Sequence, residues 1–132
     1  MTDATDPLQR LANDVRMTAQ VLSRRIRFEN ASEIAPHQFS VLIKVSRTPR
    51  TPGELAELEQ VSAPSMTRTV NGLVEAGYLD RVPHPTDGRR CVLTLTDAGR
   101  AVVDQTTHER DDWMLRRLAG LSDADRATLA RT

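Results

Sequence analysis

From Pro7 to Asn30, apolar residues recur at Leu8, Leu11, Val15, Leu22 and Ile26. They fall near one stripe of a 3.6-residue period, with Arg10, Asp14, Arg16, Arg24 and Arg25 mostly off it. The pattern predicts a long first helix with Pro7 in its first turn, where a missing N–H loses no helical bond. The stripe is thin for such a length, which fits either a partner helix from another subunit or one side of an ordinary bundle. "APHQFSVLIKVSR" predicts a shorter helix starting near Pro36, with Phe39, Leu42 and Ile43 facing inward. In "TPGELAELEQ", Thr51 can cap, Pro52 takes the first helical position and Glu54 the reciprocal one, so a brief third helix follows, burying Leu55, Ala56 and Leu58.

"VSAPSMTRTVNGLVEAG" starts a fourth helix, capped by Ser62 or Ala63, with Pro64 in its first turn and Gly77 as terminator. The period then drops to two: "YLDRV" predicts a strand, "PHPTDG" a turn and "RRCVLTLT" the returning strand. Thr96 caps a last long helix ended by Gly120, and "LSDADRATLART" opens another with Ser122 as cap and Asp125 at the reciprocal position. A helix of about two turns does not hold itself up. It is expected to pack on a partner, or to be a shortened version of a longer element. The fold class that results is α+β and mostly α. One domain is expected, with flanking helices at about 7–30 and 97–132 around a lobe at about 36–96.

Two short helices joined by a tight turn are a weak helix-turn-helix signal by themselves. On a helical wheel, Met66, Val70, Leu73, Val74 and Gly77 fall on one side of the second helix, and Pro64, Ser65, Arg68, Asn71, Gly72 and Glu75 on the other, with Thr67 at the flank. Ser65, Arg68 and Asn71 can hydrogen-bond base edges or phosphates, since arginine matches guanine and asparagine matches adenine bidentately. Any solvated helix face can show the same residues. The hairpin directly after it decides between the two: it reads as a wing, with Arg89 and Arg90 at a tip suited to the negative potential of a narrow minor groove. Asp87 either makes a simple Asx-type turn with Gly88 or pairs with an arginine to aim it.

Composition narrows the picture further. The 132 residues carry no net charge, and arginine outnumbers lysine 17 to 1. Zero net charge disfavours a whole-surface grip on nucleic acid but leaves room for a local basic patch. The longest strongly apolar run, Val41–Ile43, is far too short to span a bilayer. "MTDATDP" is acidic and lacks the apolar core of a secretory signal. A single cysteine, Cys91, makes no intrachain disulfide and fits a reducing, cytoplasmic setting.

The segment "LAELEQVSAPSMTRTVNGLVEAGYLDRVPHPTDGRRCVLTLTDAGR" resembles the core of the multiple antibiotic resistance regulator (MarR) family of winged-helix transcription factors. "PSMTR", "L..AGYLDR" and the pattern of Asp87, Arg89, Leu95, Thr96 and Gly99 carry the resemblance over roughly a third of the chain. It implies a homodimer with interlaced first and last helices, bound to a pseudo-palindromic operator in double-stranded DNA, usually as a repressor. It also implies major-groove contacts from Ser65, Thr67 and Arg68, a minor-groove contact from Arg89 assisted by Arg90, and Arg81 near the DNA backbone or bracing the wing. The final helix looks short for the family. Two copies of these arginines would lie along one face, with Asp104, Glu109, Asp111 and Asp112 on the far helix. Members are often released by small aromatic ligands, and Met17, His37, Phe39 and Trp113 could line such a pocket, although ordinary packing also explains each.

Other chemistries find less in the sequence. Cys91 shares strand phase with Leu93 and Leu95, so it is expected to point into the core, where a thiol is inert; a redox-sensing regulator would instead need it exposed. His37, His84, His108 and Cys91 lack metal-ligand spacing, and no metal or cofactor is expected. There is no Gly-rich phosphate loop, metal-binding His pair or nucleophile motif, so the chain does not read as an enzyme. A winged helix used only for protein–protein contact is the remaining alternative.

Overall fold

The computed structural model describes residues 6–29 and 34–132. The expected helix boundary at Asn30 and the first five residues of "MTDATDP" lie outside that range. Among the described residues the order is α1 (Pro7–Phe28), α2 (Pro36–Arg47), α3 (Pro52–Glu59), α4 (Ala63–Glu75), β1 (Leu79–Pro83), β2 (Cys91–Leu95), α5 (Asp97–Ala119) and α6 (Asp123–Arg131). The chain divides into two compact units, one spanning 32–108 and the other combining 1–31 with 109–132.

The 32–108 unit is a winged helix-turn-helix. Its helices begin where the sequence signals them: Thr51 Oγ1 accepts from Glu54 N at 3.1 Å, and Ser62 Oγ from Ser65 N at 3.2 Å. At α2, whose N-cap Ala35 has no polar side chain, Gln38 Oε1 accepts from Ala35 N at 3.0 Å, half of the reciprocal motif. α4 stops at Gly77, which adopts φ +84°; Gly77 N donates to Val74 O at 3.0 Å and Tyr78 N to Leu73 O at 2.9 Å. This six-residue closure needs a left-handed residue, the reason for a glycine there. α3 closes the same way through Gln60 at φ 55°, with Gln60 N to Glu57 O at 3.2 Å and Val61 N to Ala56 O at 3.0 Å. Nothing in a glutamine signals that stop.

The core of this unit gathers Phe39, Val41, Leu42 and Val45 of α2, Leu55 and Ala56 of α3, Met66, Val70 and Leu73 of α4, Leu79, Leu93 and Val103. Leu58 does not join it as expected: it is 47% exposed, because the short α3 turns only one face inward. The buried set of α2 also differs from its predicted stripe: Val41 and Val45 join Phe39 and Leu42, while Ile43 is only half-buried against the core. β1 and β2 pair antiparallel in the register Leu79↔Leu95, Arg81↔Leu93 and Pro83↔Cys91. Arg50 extends that sheet by one bridge, with Leu93 N to Arg50 O at 2.7 Å and Arg50 N to Leu93 O at 3.4 Å. The Thr96 hydroxyl joins two helix ends: it donates to Gly77 O at 2.6 Å and accepts from Gly99 N at 3.0 Å, capping α5.

In the other unit, Asp6 Oδ1 caps α1 through Leu8 N at 3.0 Å, and Ser122 Oγ caps α6 through Asp125 N at 3.1 Å. Neither helix buries a residue. Leu8, Leu11 and Val15 are 72%, 59% and 60% exposed. Trp113 is buried and its indole Nε1 donates to Glu29 Oε2 at 3.3 Å, while the Arg117 guanidinium stacks 4.1 Å from the ring centroid. Burial, reinforced by the nearby charge of Arg27, lowers the pKa of Arg110.

Candidate nucleic-acid interface

α4 divides largely as its wheel predicts, although Val74 is half-buried and Gly77, expected on the inner side, is exposed. Met66, Val70 and Leu73 are buried, while Thr67, Arg68, Asn71 and Glu75 are exposed and Ser65 is half-buried. Arg68 makes no hydrogen bond or ion pair among the described residues, so its five donors remain available. The Thr67 hydroxyl donates to Ala63 O at 2.9 Å, which fixes its rotamer and leaves its lone pairs to accept. Gly72 departs from its expected outward position: it is half-buried, and a Cβ there would stand 3.9 Å from Gln38 Nε2, so its smallness serves the approach of α2.

Leu79 and Arg81 lie on the hairpin face that carries Leu93. Leu79 and Leu93 fill the core, and at Arg81 the same face reaches α4, where Arg81 Nη2 donates to Asn71 Oδ1. Asn71, expected to meet DNA, and Arg81, expected near the DNA backbone or bracing the wing, are thus paired. The pair ties β1 to α4 and fixes the plane of the Asn71 amide, whose N–H donors make no hydrogen bond among the described residues.

The turn is longer than the strand pattern implied, because Arg89 and Arg90 belong to the tip and β2 starts at Cys91. Asp87 Oδ1 accepts from Arg89 N at 3.1 Å and Asp87 O from Arg90 N at 3.1 Å. Asp87 therefore performs turn chemistry, with no ion pair to an arginine among the described residues. The backbone of Arg89 is held while both guanidinium groups remain exposed and unbonded among the described residues. His84, which the sequence reading weighed only as a metal ligand, ties the other side of the tip: its Nδ1 accepts from Thr86 N and Asp87 N, each at 3.2 Å.

The remaining candidates separate. Met17 and Trp113 line an open pocket of about 380 Å³ together with Thr18, Val21, Leu22, Arg25 and Arg117. Arg25 and Arg117 stand 3.6 and 3.5 Å from the Glu29 carboxylate. Phe39 is committed to the lobe's core and His37 is exposed on α2. Cys91 is half-buried rather than inside: it ends the hairpin beside the tip, where the core has run out, and Val92 and Leu93 are the buried residues of β2. Among the described residues no group of His, Cys, Asp and Glu side chains could hold a metal, and no helix is long and apolar enough to cross a membrane.

The model of the MarR family matches residues 32–90, from just before α2 through the wing tip. The HTH-type transcriptional regulator Mb0904 of Mycobacterium bovis is 38% identical over 122 residues, covering 91% of this chain and 85% of its own. The crystal structure of RV1404 from Mycobacterium tuberculosis superposes with a TM-score of 0.75 at 30% identity, covering 99% of this chain and 90% of that one. The apo structure of MarR from Escherichia coli gives 0.68 at 29% identity, with 95% and 93% covered.

Proposed function

The chain belongs to the MarR family of DNA-binding transcriptional regulators, and from that premise we propose that it is a homodimeric repressor of a pseudo-palindromic operator. The observation that carries this reading is the wing: a pinned Arg89 backbone with a free guanidinium, one hairpin away from an α4 whose Arg68 is also free. In the proposed complex α4 enters the major groove through Ser65, Thr67, Arg68 and Asn71. Arg89 enters the adjacent minor groove, Arg90 meets its phosphates, and Arg81 braces Asn71 from the strand. Asp87 serves by holding the tip and does not touch DNA. Two lobes related by a twofold axis would read half-sites one helical turn apart, about 34–36 Å.

A second copy is supported by α1, which leaves Leu8, Leu11 and Val15 in water, and by α6, which buries nothing. Exposed apolar surface of this extent on one helix is what a partner helix covers. The effector reading narrows to the pocket at Met17 and Trp113, whose apolar walls and flanking Arg25 and Arg117 suit a small aromatic anion. His37 and Phe39 have no part in it. Such a ligand would release DNA only by favouring a dimer arrangement whose lobes no longer fit the half-sites.

Fluorescence anisotropy on DNA from the region upstream of its own coding sequence, across several salt concentrations, tests the proposal. The expected results are a steep loss of affinity with salt and a clear sequence preference. Arg68→Ala should lower base discrimination by about 1–3 kcal/mol, and Arg89→Ala should weaken binding at AT-rich sites. Flat, weak binding by wild type and both variants would reject the DNA reading in favour of a protein partner.

A further inference from the structure

We propose that His84 is the positioning residue of the wing arginine: its neutral imidazole fixes the turn from which Asp87 holds Arg89. The inference rests on the reading of Arg89 as the minor-groove contact.

His84 stands between Pro83 and Pro85. A following proline restricts it to extended backbone, and Pro85 itself has the φ that opens a tight turn. The first position of such a turn is usually Asp, Asn or Ser, whose side-chain oxygen accepts the N–H two residues on. Here a ring nitrogen takes that place. His84 Nδ1 accepts from Thr86 N and from Asp87 N, each at 3.2 Å, and lies 3.3 Å from Thr86 Oγ1. A nitrogen that accepts two N–H groups carries no proton, so the ring is neutral with its proton on Nε2. The same residue closes the neck of the loop through His84 N to Arg90 O at 3.0 Å. Asp87, placed by His84, then accepts from Arg89 N at 3.1 Å. The two acceptors act in series: imidazole to Asp87 backbone, carboxylate to Arg89 backbone.

Glycine conformation does not order this tip. Gly88 is not left-handed, and a Cβ there would meet nothing within 4 Å. The order comes from the two side-chain acceptors. An arginine on an ordered stalk loses less entropy on entering a groove than one on a mobile loop.

The test compares His84→Ala, which removes the acceptor, with His84→Asn, whose Oδ1 is bonded to Cγ just as Nδ1 is. Arg89→Ala is the control, and operator affinity is read alongside amide exchange of Thr86 and Asp87. His84→Ala should bind about 2- to 12-fold more weakly, the cost of ordering one more side chain, and both amides should exchange faster. His84→Asn should restore affinity and protection together, and the nitrogen shifts of the wild-type ring should report the Nε2–H tautomer. Unchanged amide exchange in His84→Ala overturns the proposal. So does an Asn variant that protects the amides yet binds as poorly as Ala, because the imidazole would then touch DNA itself. If Arg89→Ala costs no affinity, the wing-arginine reading fails and His84 has nothing to position; a loss with Arg89→Ala but none with His84→Ala rejects the His84 proposal alone.

Discussion

A Cβ at Gly99 would stand 2.2 Å from Tyr78 O and 3.0 Å from Leu95 Cδ1. Alanine in a helix is favoured over glycine by about 1 kcal/mol, but an overpacked contact typically costs about 1–3 kcal/mol. The neighbour here is a carbonyl that also bonds Thr96 N at 3.1 Å, so it cannot yield without losing that bond. Gly99→Ala should therefore lower stability by up to about 2 kcal/mol net, seen as a lower urea midpoint with an unchanged slope. Lys44 is a second residue whose identity matters, since every other cation in the chain but the histidines is arginine. Its ammonium bonds Ser40 Oγ at 3.1 Å and pairs with Glu59, itself held by Ser40 at 2.7 Å, in a half-buried site between α2 and α3. A compact ammonium with rotatable donors serves both oxygens at once, whereas a guanidinium holds its donors in a fixed planar fork. Lys44→Arg should cost about 1–2 kcal/mol in the same measurement despite keeping the charge.

At the scale of elements, most boundaries follow from local chemistry. Thr51, Ser62, Thr96 and Ser122 mark starts that bonds to the next turn confirm, and Gly77 marks a stop. The end of α3 is the exception, because Gln60 takes a left-handed conformation that costs a non-glycine residue about 1 kcal/mol. Gln60→Gly should recover about 0.5–1 kcal/mol, allowing for glycine's greater entropy loss on folding, and raise the melting temperature. An unchanged or lower melting temperature would mean that the glutamine side chain offsets the strain. The wing turn is longer than the pattern predicts for a related reason: Arg89 and Arg90 are compatible with a strand by pattern, but the bonds from His84 and Asp87 keep them in the turn.

For the whole molecule, zero net charge does not preclude a specific DNA site, which needs only a local set of cations: the guanidinium groups of Arg68, Arg89 and Arg90, unbonded among the described residues, all belong to the 32–108 unit, although that unit as a whole carries no basic excess. The exposed stripe of α1 is the other global feature. Leu11→Glu with Val15→Glu touches no buried residue, so helix content should persist. The mass measured by light scattering should fall from dimer to monomer, and operator affinity should fall with it, since one lobe reads only one half-site. A dimer that survives both charges would exclude this stripe as the interface.

The helix starts, the helix-turn-helix and wing, the split of α4 into a core face and a polar face, and the family are all legible in the order of residues alone. These depend on periodicity and capping, which act within a few residues of the chain. Which polar residues meet one another emerges only when the chain is folded. Folding paired Asn71 with Arg81 across ten positions, turned Gly72 toward α2, left Cys91 half-exposed where the core ends, and made His84 a turn acceptor. It also separated Phe39, a core residue, from Met17 and Trp113 at the pocket. The physical reason is one of range: an amphipathic pattern fixes which way a side chain faces, whereas its partner depends on how distant elements pack, which no local pattern encodes.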